Sequence, residues 1–151
     1  MHPVTIRPAR VSEQNALEQL QWRASLNNSG DRQALLAHPD AIELPEQQIK
    51  DGFVFVAESA GVAIGFAAIL QRADGNSELD ALFVEPSAWR TGVGRALLER
   101  CASEARAVGA TSLHVVGNPH AEGFYLACGF TLCGTAETRF GSGLLLQRDL
   151  R

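Results

Sequence analysis

ELDALFVEPSAWRTGVGRALL, residues 78–98, holds two hydrophobic periods and the junction between them. Leu79, Ala81 and Phe83 alternate with Glu78, Asp80, Leu82 and Val84, the period of two that a strand imposes. Pro86 then stops ladder pairing, because it has no N–H to donate. From Val93 onward, Val93, Leu97, Cys101, Ala105 and Val108 recur every three or four positions, which is one face of a helix. Between the two periods stands Trp89-Arg90-Thr91-Gly92-Val93-Gly94-Arg95. A strand, a tight turn, a glycine-containing loop and a helix predict an α/β fold, and the remaining elements are placed outward from this one.

The junction has a chemical meaning. The first N–H groups of a helix lack intrahelical partners, and the helix dipole adds partial positive charge there. Gly92 and Gly94 carry no Cβ, so an anion can approach those amides, while Arg90 and Arg95 add fixed charge. The loop therefore reads as a site for phosphate or pyrophosphate. Two familiar phosphate loops are excluded. A P-loop needs Lys and then Ser or Thr after its last glycine, and here Arg95-Ala96 follows Gly94. The dinucleotide fingerprint wants a small residue at position 97 and an acid near the end of the next strand. Position 97 is Leu, and Leu113-His114-Val115-Val116-Gly117 has no acid.

Downstream, Gly109 is a helix stop, and the strand at 113–117 follows. Strand, helix and strand in this order predict a parallel pair with a right-handed crossover. Asn118 is placed as N-cap of another helix, with Pro119 at its first position. Gly129 closes that helix, and Phe130 is placed to pack back on the last turn. Two final strands, near residues 130–138 and 144–150, are joined by Arg139-Phe140-Gly141-Ser142-Gly143.

Upstream, Val4-Thr5-Ile6-Arg7 reads as a strand closed by Pro8. Ser12 is the expected N-cap of a helix reaching about Leu26, with Leu17, Leu20 and Ala24 inward. Asn27-Asn28-Ser29-Gly30 ends it, and Asp31 is the expected cap of a short second helix carrying Leu35 and Leu36 before Pro39. Residues 39–52 read as a helical turn and loop. The apolar runs at 53–57 and 62–70, split by Ser59-Ala60-Gly61, read as a hairpin of central strands covered on both faces. Ala73-Asp74-Gly75-Asn76 makes the turn into the focal strand. The sum is an α/β domain with a mixed sheet, antiparallel at both ends and parallel in the middle.

At 151 residues the chain suits one domain over 1–151, with no internal repeat or linker. A net charge of −4 and a single lysine, Lys50, argue against a nucleic-acid-binding surface. No apolar run approaches the ~20 residues of a membrane span, and MHPVTIRPAR lacks the apolar core of a signal peptide. A cytoplasmic protein without a membrane partner is expected. Cys101, Cys128 and Cys133 sit in apolar patterns and read as buried thiols. The Cys128 and Cys133 pair lacks a matching second pair, so no metal is expected.

Val84-Glu85-Pro86 followed by Arg90-Thr91-Gly92-Val93-Gly94-Arg95-Ala96-Leu97-Leu98 resembles the acyl-CoA-binding motif of the GNAT (GCN5-related) N-acetyltransferases. Asn118-x-x-Ala121-x-x-Phe124-Tyr125 with Cys128-Gly129-Phe130 resembles that family's second motif. The likeness covers nearly the whole chain, with one departure. The first motif position, three residues before the first glycine, is usually Gln or Arg and here is Trp89, with Arg90 beside it as a cation.

The resemblance implies a GNAT-like acyl-CoA N-acyltransferase fold of about six to seven strands and about four helices, with a splayed parallel strand pair. It implies acetyl-CoA (coenzyme A) as cosubstrate. Leu82, Phe83 and Val84 would give main-chain contacts to the pantetheine arm, and Arg90, Thr91, Gly92, Val93, Gly94, Arg95 and Ala96 would hold the pyrophosphate. Asn118, Phe124 and Tyr125 complete the cofactor-binding set.

Acyl transfer from a thioester to an amine needs a neutral amine, a stabilised oxyanion and a proton for the departing thiolate. Tyr125, the only tyrosine, occupies the family's general-acid position, and a phenol of pKa about 10 suits that task. Glu78 occupies the family's base position, with Asp80 on the same face as the alternate. His114 and His120 read as structural. By fold analogy, residues 22–32 and 137–143 form the acceptor pocket, where Glu137 and Arg139 would orient a polar substrate. The acceptor read here is a primary amine, on a small molecule before a protein N-terminus or lysine, attacked directly in a ternary complex. Homodimers are common among such proteins, so the resemblance admits a homodimer. Competing readings are a non-catalytic CoA-binding or regulatory module, and an interaction domain that leaves the Gly92/Gly94 loop and Asn118 unexplained.

Overall fold

In the computed structural model, which describes residues 3–138 and 141–151, the alternating stretch is strand β4 (Ser77–Val84) and the helical stretch is α4 (Val93–Ala107). Before them come β1 (Val4–Pro8), α1 (Gln14–Leu26), α2 (Ser29–Ala37), α3 (Glu46–Lys50), β2 (Val54–Ser59) and β3 (Val62–Gln71). After them come β5 (Ser112–Gly117), α5 (Glu122–Ala127), β6 (Thr131–Thr138) and β7 (Gly141–Asp149). The strands form a mixed seven-stranded sheet in the order β1-β2-β3-β4-β5-β7-β6. β1–β2, β2–β3, β5–β7 and β6–β7 are antiparallel, and β4–β5 is parallel, as the patterning predicts. The chain gathers into two compact units, Met1–Ala68 with Ala81–Cys101, and Ile69–Asp80 with Ala102–Arg151.

In the first unit, α1 and α3 cover one face of β2 and β3. Leu17, Leu20, Leu44 and Ile49 pack on Val54, Val56, Phe66 and Ala68, and Ala81 and Phe83 of β4 border the cluster. Phe55, one residue out of phase, faces the other way and lies under the Arg100 guanidinium of α4. That explains the unbroken apolarity of the run: both faces are covered. Ala60 and Gly61, at φ 52° and 78°, make the two-residue hairpin whose twist suits flanking strands. Arg7 on β1 joins Glu13 (2.7 Å) and Glu58 (3.1 Å), tying the chain entry to β2.

Two expected caps are corrected here. Val11–Glu13 is a 3-10 turn and α1 begins at Gln14; the Glu13 carboxylate accepts the Arg10 N–H at 2.8 Å, so Ser12 is not the cap. The second helix starts at Ser29, and the Asn28 carbonyl accepts its first bond, from the Arg32 N–H. Asp31 therefore lies within the first turn rather than ahead of it.

In the second unit, the Asn76 side-chain oxygen accepts the Thr111 and Ser112 N–H groups, which aligns the starts of β4 and β5. Both helices ending here use the same glycine device. Gly109 and Gly129, each at φ 91°, let the following residue reach back: Ala110 N–H to Ala105 O, and Phe130 N–H to Tyr125 O, both 3.0 Å. Because α4 ends at Ala107, Val108 falls on the turn and is 43% exposed, not on the inner face as its spacing suggested. The last hairpin is tighter than expected: Gly141, Ser142 and Gly143 pair with Thr138, Glu137 and Ala136 within β7 and β6. Arg139 and Phe140 lie outside the described residues. A bulge between Leu132 and Gly134 leaves Cys133 exposed, correcting its assignment as a buried thiol; Cys101 and Cys128 are buried.

Candidate active site

The glycine-containing loop is braced from within. After β4, Pro86–Ala88 forms a 3-10 turn in which the Ala88 N–H donates to Glu85 O and the Trp89 N–H to Pro86 O. The Thr91 hydroxyl donates to Ala88 O, and the Trp89 indole N–H donates to Val84 O at 2.7 Å. Arg90 and Gly92 are left-handed, at φ 65° and 87°. The Gly92 carbonyl then accepts the Ala96 N–H, so Gly92 is the N-cap of α4 and the amides of Val93, Gly94 and Arg95 are the helix's first three donors. A Cβ built on Gly92 meets nothing within 4 Å. The turn favours a glycine there for its backbone angle, and the space where a Gly92 side chain would stand is open, which fits the approach of an anion to this helix start. Val93 and Leu97 are buried and anchor this helix start; Arg90, Thr91, Gly92, Arg95 and Ala96 are exposed.

The Glu85 N–H donates to Ile64 O of β3. By two-residue alternation Phe83 turns its polar backbone groups the same way, and Leu82 and Val84 turn theirs to the opposite edge. Leu82, Phe83 and Val84 lie beyond the last β4–β5 pair, Leu79↔Val115. The Glu85 side chain grips Arg23 of α1 through both oxygens, with Arg23 Nη2 to Oε2 at 2.7 Å.

The expected acid and base both belong to the second unit. Tyr125 is 8% exposed on α5. Its ring meets Phe124 and Phe130 edge-on, with centroids 5.3 and 5.4 Å away. Gly117, the last residue of β5, also borders the ring: a Cβ there would lie 3.0 Å from Tyr125 Cε2 and 3.1 Å from Leu146 Cδ1. Glycine here makes room for the phenol rather than for a turn. Asn118 and Pro119 open a 3-10 turn, Pro119–Ala121, and not α5 itself, which begins at Glu122 after Ala121. Asn118 has extended backbone, φ −71° and ψ 140°, and its carbonyl accepts the Ala121 N–H. Its side chain makes no capping bond, a correction to its expected role as the cap of that helix. Phe124 is part-exposed beside Tyr125.

Glu78 is half-buried and paired in register with His114; Arg72 Nη1 lies 3.6 Å from its carboxylate. Asp80 is exposed. His114 Nε2 bonds to Ser112 Oγ at 2.9 Å. Burial, then the Arg72 charge, hold His114 below the ordinary histidine pKa, so its ring is neutral near pH 7. Glu137 accepts the Ser142 hydroxyl within the last hairpin, and Arg139 lies outside the described residues. Among the described residues no group of three or more His, Cys, Asp or Glu is disposed to hold a metal ion, and no helix is long and apolar enough to cross a membrane.

Sequence reasoning did not single out Gly117, the indole bond of Trp89, or Arg72 beside Glu78. Gly117 carried a usable signal, since a glycine inside a strand often marks close approach. The other two contacts depend on how side chains fall across a turn or hairpin.

A mixed seven-stranded sheet whose parallel central pair, β4 and β5, is connected through α4 is an acyl-CoA N-acyltransferase-like fold. Residues 15–130 match the acetyltransferase (GNAT) family, and the chain belongs to that family. It is 31% identical over 83 residues to the serotonin N-acetyltransferase 2, chloroplastic, of Oryza sativa subsp. japonica, a match covering 52% of this chain and 42% of that protein. The matched stretch thus spans less than half of the curated relative's length. In fold it resembles the PaiA N-acetyltransferase of Thermoplasma acidophilum in complex with coenzyme A (TM-score 0.75, 17% identity, 97% of this chain and 99% of that one). It also resembles YncA, a putative acetyltransferase of Salmonella typhimurium with acetyl-CoA (TM-score 0.72, 24% identity, 99% and 95%).

Proposed function

We propose that the 151 residues work as one acetyl-CoA-dependent N-acetyltransferase domain that acetylates a primary amine on a small molecule. The observation that carries this reading is the start of α4: a left-handed Gly92, open space above it and the exposed Arg90 and Arg95, in a chain of this family. Those amides and guanidinium groups would hold the diphosphate of coenzyme A. The outward edge of β4 at Leu82 and Val84 offers backbone donors and acceptors to the pantetheine arm. Bound acetyl-CoA supplies an activated thioester; the chain's residues manage position and protons. Glu78 takes the proton that an ammonium of pKa about 10.4 must lose before attack. Tyr125, walled by Phe124, Phe130 and Gly117, gives its phenolic proton to the departing sulfur.

A small amine acceptor is supported by the rice relative, a serotonin N-acetyltransferase. The test is direct. Melting with and without acetyl-CoA should show a rise at saturating ligand. Free-thiol release across a panel of amines should then identify acceptors. Stabilisation by acetyl-CoA without thiol release from any amine or amine-bearing peptide would leave a CoA-binding module instead; release with peptides alone would move the acceptor to protein.

A further inference from the structure

Trp89 stands where the family's first motif usually has a polar Gln or Arg, and it is 41% exposed. Its Nε1–H donates to Val84 O at 2.7 Å, closing a ring over residues 84–89. Val84 is the last β4 residue, and its carbonyl lies on the edge turned away from β3, beyond the last β4–β5 pair, Leu79↔Val115. Directly after Trp89 comes Arg90, a non-glycine residue at φ 65°, a conformation that side chains resist. The loop therefore enters through an uphill residue, and the indole bond ties that entry directly back to the end of β4.

We propose that Trp89 is the positioning residue of the diphosphate loop: its indole N–H, fastened to the end of β4, sets the loop so that the first amides of α4 are aimed before ligand arrives. This rests on the cofactor reading above. It also has a consequence for the ligand. The last strand carbonyl is taken from within the chain, so an arm pairing along β4 relies on Leu82 and on the Val84 N–H.

Trp89→Phe keeps an aromatic ring and deletes the N–H. Calorimetric titration with coenzyme A should give a Kd raised about fivefold, the effect of one ordinary hydrogen bond. The KM for acetyl-CoA should rise by the same factor, while kcat at saturation and the KM for the amine stay within about twofold. A purely structural tryptophan would lower apo melting and leave that split absent. Equal or tighter coenzyme A binding by the variant, with wild type binding normally, overturns the role of Trp89 alone; tighter binding would mean that the indole competes with the arm for Val84 O. Wild-type protein that takes up no coenzyme A overturns the cofactor reading, and this inference falls with it.

Discussion

Gly117→Ala adds one methyl group where the ring of Tyr125 already sits. The new carbon would lie 3.0 Å from Cε2 and 3.3 Å from Cδ2 of that ring, and 3.1 Å from Leu146 Cδ1. Carbon atoms rest at about 3.5–4.0 Å, so the phenol must retreat by roughly 0.5–1 Å. Its other sides are occupied: Phe130 stands edge-on at 5.4 Å and Phe124 at 5.3 Å, and α5 is locked by the Gly129 turn. Overpacking of this kind costs about 1–3 kcal/mol, which lowers Tm by a few degrees in a chain of this length. The cost to catalysis is larger, because an ångström of misplacement in a reacting group is worth about 100-fold. With Tyr125 as the proposed proton donor, kcat should fall about 10- to 100-fold, while KM for acetyl-CoA moves less than about threefold. Steady-state kinetics beside a thermal melt separate the two effects. Combined with Tyr125→Phe, the alanine should add little, since both remove the same proton delivery. A folded Gly117→Ala protein with wild-type kcat would refute the reasoning, for it would mean either that the ring has slack or that its place does not matter.

Three further outcomes are expected. Tyr125→Phe should lower turnover by about 100-fold or more while acetyl-CoA binding persists in calorimetry; equal turnover would remove Tyr125 as the acid. Gly92→Glu should abolish coenzyme A binding, and Gly92→Ala should only weaken it: both strain the φ 87° turn, but only glutamate sets a negative charge at the amides proposed to hold the diphosphate. Unchanged affinity in the glutamate variant would contradict the loop assignment. His114, held below its ordinary value of 6.5, gives stability that is full above that pH and lost as pH falls through the folded-state value. His114→Gln should therefore flatten the decline of Tm below pH 6.5, and an unaltered slope would show that other groups cause it.

The features that were legible in the sequence are those made by neighbours along the chain. Alternation over 78–84 and the helical spacing from Val93 follow from backbone geometry, which repeats every two or every 3.6 residues whatever the surroundings. Gly109 and Gly129 could be read as helix stops because the bonds they permit span only five residues. The Ser12 and Asp31 caps failed because the helix starts fall elsewhere along the chain: Glu13 accepts the Arg10 N–H ahead of α1, and α2 begins at Ser29, two residues before Asp31. The motifs around Gly92 and Tyr125 pointed to the family because their residue order alone is distinctive.

Tertiary structure decided what depends on residues far apart meeting. The sequence places β6 before β7, yet β7 is the strand beside β5, a pairing between residues distant in the chain, from Ser112↔Asp149 to Gly117↔Leu144, that local periodicity does not encode. Whether Tyr125 was a core aromatic or a held one turned on Gly117, eight residues earlier on another element, whose missing Cβ leaves the ring its place. Trp89 could be seen to depart from the motif, but that its indole returns to Val84 is a matter of one N–H finding one carbonyl across a turn. Periodicity carries no record of such meetings, because a side chain's partner is set by the path of the whole backbone and not by its own place in the chain.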